Sequence, residues 1–189
     1  MGQYYRNTIL KPDFKNEKQP VAMTLYPYNY GNGAKLMEFS WIGGRLMKRI
    51  EWLLANTFAG SNFVTVGDYA DEVDGVDIYS KASEFEDSKD CKDIETTIPD
   101  YKNIPYYRYA VNLDKKEFVI LKEFTPPVYT IHPLSLLCAF GNGRGGGDFY
   151  GKTGSKSVGK WAFDRILVTN DKTKTDGFKQ IKPYFKEGY

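Results

Sequence analysis

The stretch FGNGRGGGDFYG, Phe140 to Gly151, packs six glycines, an arginine and an aspartate into twelve residues. One chemistry suits it best: consecutive backbone N–H groups beside the Arg144 guanidinium form a concave nest for a phosphate or carboxylate. Glycine in such density serves a backbone that takes positive φ or is closely approached, and it is costly to order. Asn142, Arg144, Gly145, Gly146, Gly147, Asp148 and Tyr150 are therefore the candidate ligand-binding residues. The competing use of the loop is internal packing against Trp161 and the tyrosines, with Arg144 paired to Asp148 or Asp164.

Two formal phosphate signatures overlap here. Gly146 to Thr153 spells GxxxxGK[ST], and Gly141 to Gly146 spells GxGxxG. The first works only between a buried strand and a helix N-terminus, whereas this one is preceded by more glycine and followed by Gly154-Ser155-Lys156-Ser157. The second needs a helix opening at its third glycine inside a parallel sheet. Neither context is expected, so neither a nucleotide triphosphatase nor a dinucleotide site is.

Asp68, Asp71, Asp74 and Asp77 recur every three residues and, with Glu72, form an acidic surface for a basic partner. With Asp148 and Asp164 they also offer the oxygen ligands that magnesium or calcium prefers. Their spacing does not match a calcium-binding loop, and neither a metal nor another cofactor is expected. The single histidine, His132, stands before Pro133; a helix cap is favoured over a general base, and one histidine is too few for histidine-dependent zinc chemistry. Cys91 and Cys138 show no bridge or zinc spacing, which suits a reducing, cytoplasmic setting.

The net charge of +2 is unevenly distributed. Residues 1–50 carry +5, residues 51–100 carry −10 and residues 101–189 carry +7. An acidic middle between basic flanks is first a solvated segment neutralising its neighbours and second a docking surface. No run reaches the roughly 18 apolar residues of a membrane span, so a membrane is not an expected partner. Tyrosines interleaved with Lys and Arg suit base stacking but more often build core and sheet surface, which makes nucleic acid a disfavoured partner.

These residues must be positioned by a mixture of elements. GQYYRNTI and VAMTLYPY are rich in aromatic and β-branched residues and predict strands. From Arg45 to Phe58, Leu46, Met47, Ile50, Leu53, Leu54 and Phe58 recur at helical spacing, with Lys48, Arg49 and Glu51 on the other face. A strand is expected at Asn62–Val66 and one short helix near Tyr79–Phe85 within an acidic excursion over 67–104. A hairpin follows from Pro105–Leu113 and Glu117–Phe124 around Asp114-Lys115-Lys116. A buried helix is expected over Pro133–Phe140 with proline in its first turn, then a last strand over Trp161–Thr169.

The order Tyr4-Tyr5-Arg6, Tyr30-Gly31-Asn32-Gly33, Trp41 reappears as Tyr106-Tyr107-Arg108, Phe140-Gly141-Asn142-Gly143, Trp161. It raises two related halves, 1–66 and 105–189, against chance coincidence in a tyrosine- and glycine-rich chain. The expected fold is a single α+β domain over 1–189, an antiparallel or mixed sheet with the helix at about 45–58 packed on one face.

MGQYY (1–5), YGNGAKLMEFSWIG (30–43), GDYAD (67–71), IHPLSLL (131–137), GNGRGGGDFYG (141–151) and VGKWAFDRI (158–166) together resemble a family of bacterial and phage proteins without an assigned activity. The resemblance covers nearly the whole chain and implies a phage or mobile-element origin, but carries over no catalytic residue. The leading expectation is thus a non-catalytic binding protein. It would engage a host protein or small anionic ligand through Gly141–Gly151 and the acidic residues Asp68, Asp71, Glu72, Asp74 and Asp77. The alternatives are a metal-dependent hydrolase or nuclease acting on a phosphorylated substrate, using Asp68, Asp71, Asp148 or Asp164 with magnesium and Arg144, and a structural protein with no ligand.

Overall fold

A computed structural model describes residues 3–121, 131–141 and 157–183 of the chain. Eight strands form one open, mixed sheet: β1 (Tyr5–Leu10), β2 (Val21–Leu25), β3 (Ser61–Gly67), β4 (Tyr109–Asn112), β5 (Glu117–Ile120), β6 (Ala139–Phe140), β7 (Arg165–Thr169) and β8 (Lys179–Gln180). Their order is β2-β1-β3-β7-β4-β5-β8, with β6 paired to β3 off that path. The fold is α+β, as expected.

All six residues of β1 are buried, because helices cover both faces of the sheet. Successive side chains of a strand point to opposite faces, and β1 shows it directly. Arg6 reaches Ser83 and Glu86 on α3 (Ile78–Glu86), while its neighbour Asn7 reaches Ser135 on α5 (Pro133–Leu137) on the other face. The long α2 (Arg45–Ala55) shares that second face, its Met47 sulfur 3.1 Å from the Ser135 hydroxyl. Leu46, Met47, Ile50, Leu53 and Leu54 all enter the core, as their spacing requires.

Lys48 and Glu51 depart from the sequence expectation, since both are buried rather than on a solvated helix face. α5 covers Glu51 and the segment around Tyr106 covers Lys48, so more of α2 is enclosed than its apolar stripe alone implies. The acidic excursion also holds more structure than expected. It carries two helices, α3 and α4 (Lys89–Thr97), capped by the Asp77 and Ser88 side chains. α4 meets the outermost strand β2, its Cys91 thiol 3.8 Å from the Thr24 carbonyl, and so protects a sheet edge. The helix expected over Pro133–Phe140 stops at Leu137, and Ala139–Phe140 become β6.

The two halves share a strand pattern. β1 pairs with β2 and β3, β4 pairs with β5 and β7, all antiparallel, and the halves meet where β3 pairs with β7. The shift that sets Tyr4-Tyr5-Arg6 on Tyr106-Tyr107-Arg108 carries Leu10 onto Asn112, but it carries Leu10's partner Asn62 onto Asp164 rather than onto Asn112's partner Ile166. The helices do not follow: Trp41 precedes α2, whereas Trp161 leads directly into β7.

The second half is tied together by carboxylates. Glu117 accepts from Lys160 Nζ at 2.7 Å and Trp161 Nε1 at 2.9 Å. Desolvation works to raise its pKa, but these two donors outweigh it and leave the carboxyl below its ordinary value. A carboxylate depressed in the folded state contributes stability above its unfolded pKa, near 4.3, and loses that contribution as pH falls through the lower folded value. The unfolding midpoint should therefore fall more steeply below about pH 4 in the native protein than in Glu117→Gln. Parallel acid limbs in the two proteins would show that Glu117 carries no such linkage.

Among the described residues no helix is long and apolar enough to cross a membrane. Cys91 and Cys138 are free and buried, and burial pushes both thiols up, which keeps them unreactive.

Candidate functional site

β3 forks at its outer edge. Ser61 and Asn62 pair with β7, but Thr65 and Val66 pair instead with β6, which runs parallel to β3. Both strands of this parallel pair end at the same end of the sheet, β3 at Gly67 and β6 at Phe140 before Gly141. The crevice outside the carboxyl ends of parallel strands is where open sheets bind ligands, because the chain diverges there.

At this strand end lies Gln3, fully buried. Its Oε1 accepts from the Tyr5 hydroxyl at 2.8 Å, and its Nε2 has no acceptor among the described residues. The amide fits only because both strand ends are glycine. A Cβ on Gly67 would stand 2.8 Å from Gln3 Cγ, and one on Gly141 would stand 2.9 Å from Gln3 Cδ. Gly67→Ala should thus cost about 1–3 kcal/mol by overpacking. In a double-mutant cycle most of that loss should vanish in a Gln3→Ala background. Additive losses in urea unfolding would place Gln3 elsewhere.

Around this strand end stand tyrosine and aspartate. Tyr4 and Asp68 close on each other, the Tyr4 N–H donating to Asp68 Oδ1 at 3.0 Å and the Asp68 N–H to the Tyr4 carbonyl at 2.9 Å. Tyr4, Tyr28 and Tyr69 are exposed, and the Tyr4 and Tyr28 rings lie 6.4 Å apart. The Tyr5 N–H donates to the Ala34 carbonyl at 2.8 Å. Segments 3–5, 28–34 and 67–69 and the start of 141–151 therefore meet at one sheet end.

Of the sequence-derived candidates, only those of the acidic surface fall among the described residues. Asn142, Arg144, Gly145, Gly146, Gly147, Asp148 and Tyr150 lie outside the described residues. Gly141 stands at the end of β6, and beyond that stretch Gly159 and Trp161 donate to the Leu136 and Leu137 carbonyls. Asp68 is at this strand end, and Asp71 and Glu72 are exposed just beyond it. Asp74 instead pairs with Lys15 at 3.0 Å, beyond the far end of β1, and Asp77 caps α3. Asp74 and Asp77 are therefore engaged with groups of the fold itself.

Of the carboxylates in the magnesium reading, Asp148 lies outside the described residues, and Asp68 and Asp164 are apart. Phe63 donates to the Asp164 carbonyl, whereas Asp68 follows five residues later along the same strand, roughly 16 Å away at about 3.3 Å per residue. Asp164 itself holds Asn112 and Lys115. No group of three His, Cys, Asp or Glu side chains able to hold a metal occurs among the described residues.

His132 is wholly committed. Its Nδ1 accepts from the Leu134 N–H at 3.2 Å, capping α5, so the ring proton sits on Nε2 and is donated to Glu51 Oε1 at 2.7 Å. Neither nitrogen is left to take a proton from a substrate. This Glu51–His132 pair, the Gln3 amide and the burial of Lys48 are the features that sequence reasoning missed. Nothing local signals any of them, because each depends on a partner distant in the chain.

Comparison with protein-family models, curated proteins and solved structures gives no match.

Proposed function

We propose that this chain is a non-catalytic binding protein whose ligand docks at the carboxyl ends of β3 and β6. The observation that carries this reading is Gln3: a buried amide whose Nε2 donor has no acceptor among the described residues, set between two glycines where the Gly141–Gly151 stretch begins. An orphaned buried donor costs free energy until an acceptor arrives. A ligand oxygen is such an acceptor, and Tyr4, Asp68 and Tyr69 would frame it. Arg144 and its neighbouring glycine amides enter the proposal by sequence alone, as the anion nest expected in the stretch that follows Gly141. The ligand is then a small anion or an acidic group on a host protein, in keeping with the phage-type resemblance.

The test is calorimetric titration and thermal shift of the full chain against inorganic phosphate, pyrophosphate, citrate and mononucleotides. A ligand for the folded state raises the midpoint by mass action. Gln3→Leu should abolish the shift while leaving the fold intact. Absence of a shift with every anion would overturn the small-ligand reading, and a shift unchanged in Gln3→Leu would move the site elsewhere.

A further inference from the structure

A second surface, built of tyrosine rings, lies on the α3 face of the sheet where β1 begins. Alternation along the chain sets Tyr4 on the same face as Arg6 and opposite Gln3 and Tyr5. The Arg6 guanidinium lies 4.0 Å from the centroid of the Tyr26 ring. Tyr28 follows on a short 3-10 helix over Pro27–Tyr30; three residues make a turn there, so Pro27 and Tyr30 share the buried side and Tyr28 is 53% exposed. Its ring neighbours both that of Tyr26, at 5.2 Å, and that of Tyr4, at 6.4 Å. Tyr69 sits beside them in the turn that the Ala70 N–H closes on the Gly67 carbonyl at 3.0 Å, next to Asp68, which is bonded to Tyr4.

Of the four large apolar side chains exposed among the described residues, three are Tyr4, Tyr28 and Tyr69. Their hydroxyls make no hydrogen bond among the described residues. Asp68, Asp71 and Glu72, which follow within a few residues of the strand end, have no cationic partner there either. Arg6 cannot neutralise them, because it is buried under Tyr26 and paired to Glu86. The surface is therefore aromatic, carries free hydroxyl donors and is bordered by unpaired negative charge.

We propose that this surface docks a cationic, proline-rich segment of a partner protein in the polyproline II conformation. That helix has no internal hydrogen bonds, so its carbonyls are free to accept from tyrosine hydroxyls. Two of its residues rise about 6 Å, close to the intervals between the rings. Proline-rich segments pack on aromatic-lined surfaces and arrive already extended, with little conformational entropy left to lose. Asp68, Asp71 and Glu72 would attract a Lys or Arg of the segment and fix the direction in which it lies. The Gln3 donor takes no part, so this surface stands apart from the anion reading.

The experiment is fluorescence anisotropy of the full chain with short labelled peptides that repeat an X-Pro pair, one set ending in arginine and one in glutamate. A third set has the arginine but no proline. The arginine–proline peptides should bind, the glutamate set at least about tenfold more weakly, and the proline-free set at least about fivefold more weakly. Tyr28→Ala should weaken binding at least about fivefold, and Tyr28→Phe about threefold, the loss of one hydrogen bond. Tyr69→Ala gives the same reading if Tyr28→Ala fails to fold. The double variant Asp71→Lys, Glu72→Lys, at two exposed positions, should abolish the preference for arginine over glutamate. Gln3→Leu should bind the peptide as wild type, and inorganic phosphate should not displace it, which separates this surface from the anion site. The proposal is overturned if no arginine–proline peptide binds, if the arginine and glutamate sets bind alike, if the proline-free set binds as tightly, or if Tyr28→Ala and Tyr69→Ala leave binding unchanged. An oligothymidylate that binds more tightly than any of the peptides would assign the rings to nucleic acid and overturn it as well.

Discussion

His132→Ala is expected to be the most destabilising single change at a buried polar position, costing about 4 kcal/mol. Two losses combine. Glu51 is only 2% exposed, its Oε2 already has no partner, and removing the imidazole strips Oε1 as well. Leaving one member of a buried ionisable pair uncompensated costs about 3–5 kcal/mol. The Nδ1 cap of α5 also goes, worth about 1 kcal/mol. The urea midpoint should drop with the m value unchanged, as befits lost stability without a change in compactness. Glu51→Gln should cost much less, because its amide oxygen still accepts the Nε2 proton. The double variant Glu51→Ala, His132→Ala should be far more stable than the two single losses added together. A His132→Ala protein within about 1 kcal/mol of wild type would mean that the pair does not form in solution.

Gly159→Ala is expected to cost about 3 kcal/mol, and the reason is separable from backbone strain. Gly159 has φ of 76°, the left-handed region in which a side chain costs roughly 1–2 kcal/mol. Its Cβ would also stand 2.7 Å from the Ala139 carbonyl oxygen, a backbone atom of β6 that cannot swing aside. Gly177 has nearly the same φ, 75°, and nothing within 4 Å of its Cβ position. Gly177→Ala should therefore pay the conformational part alone. The difference between the two variants measures the contact with β6. Because β6 sets Gly141 against Gln3, Gly159→Ala should also weaken any ligand that docks at the sheet end. Equal losses for the two glycine variants in thermal unfolding would refute the close packing of Gly159 on β6.

Much of the fold was legible from short-range pattern. The helical recurrence of Leu46, Met47, Ile50, Leu53 and Leu54 placed α2, and the alternation around Asp114-Lys115-Lys116 placed the β4–β5 hairpin. α4 was not anticipated because its only apolar stripe, Cys91, Ile94 and Ile98, is thin among charged residues. The Pro133 helix was read too long because Ala139 and Phe140 suit a helix or a strand equally. Pairing with Thr65 and Val66 settles them as β6. For the site, the glycine-rich stretch was visible at once, but the residue that gives its entrance a chemical character, Gln3, was not.

By itself the chain order determined where helices and strands begin, which faces are apolar and where glycine must be, because those features depend on neighbours a few residues away. Only the folded sheet decided which polar groups are enclosed and which carboxylates keep company. His132 meets Glu51 across 81 residues and Ser135 meets Asn7 across 128, and no local propensity reports contacts of that span. The same long-range packing separates Asp68 from Asp164 and leaves the Gln3 Nε2 donor buried without an acceptor among the described residues.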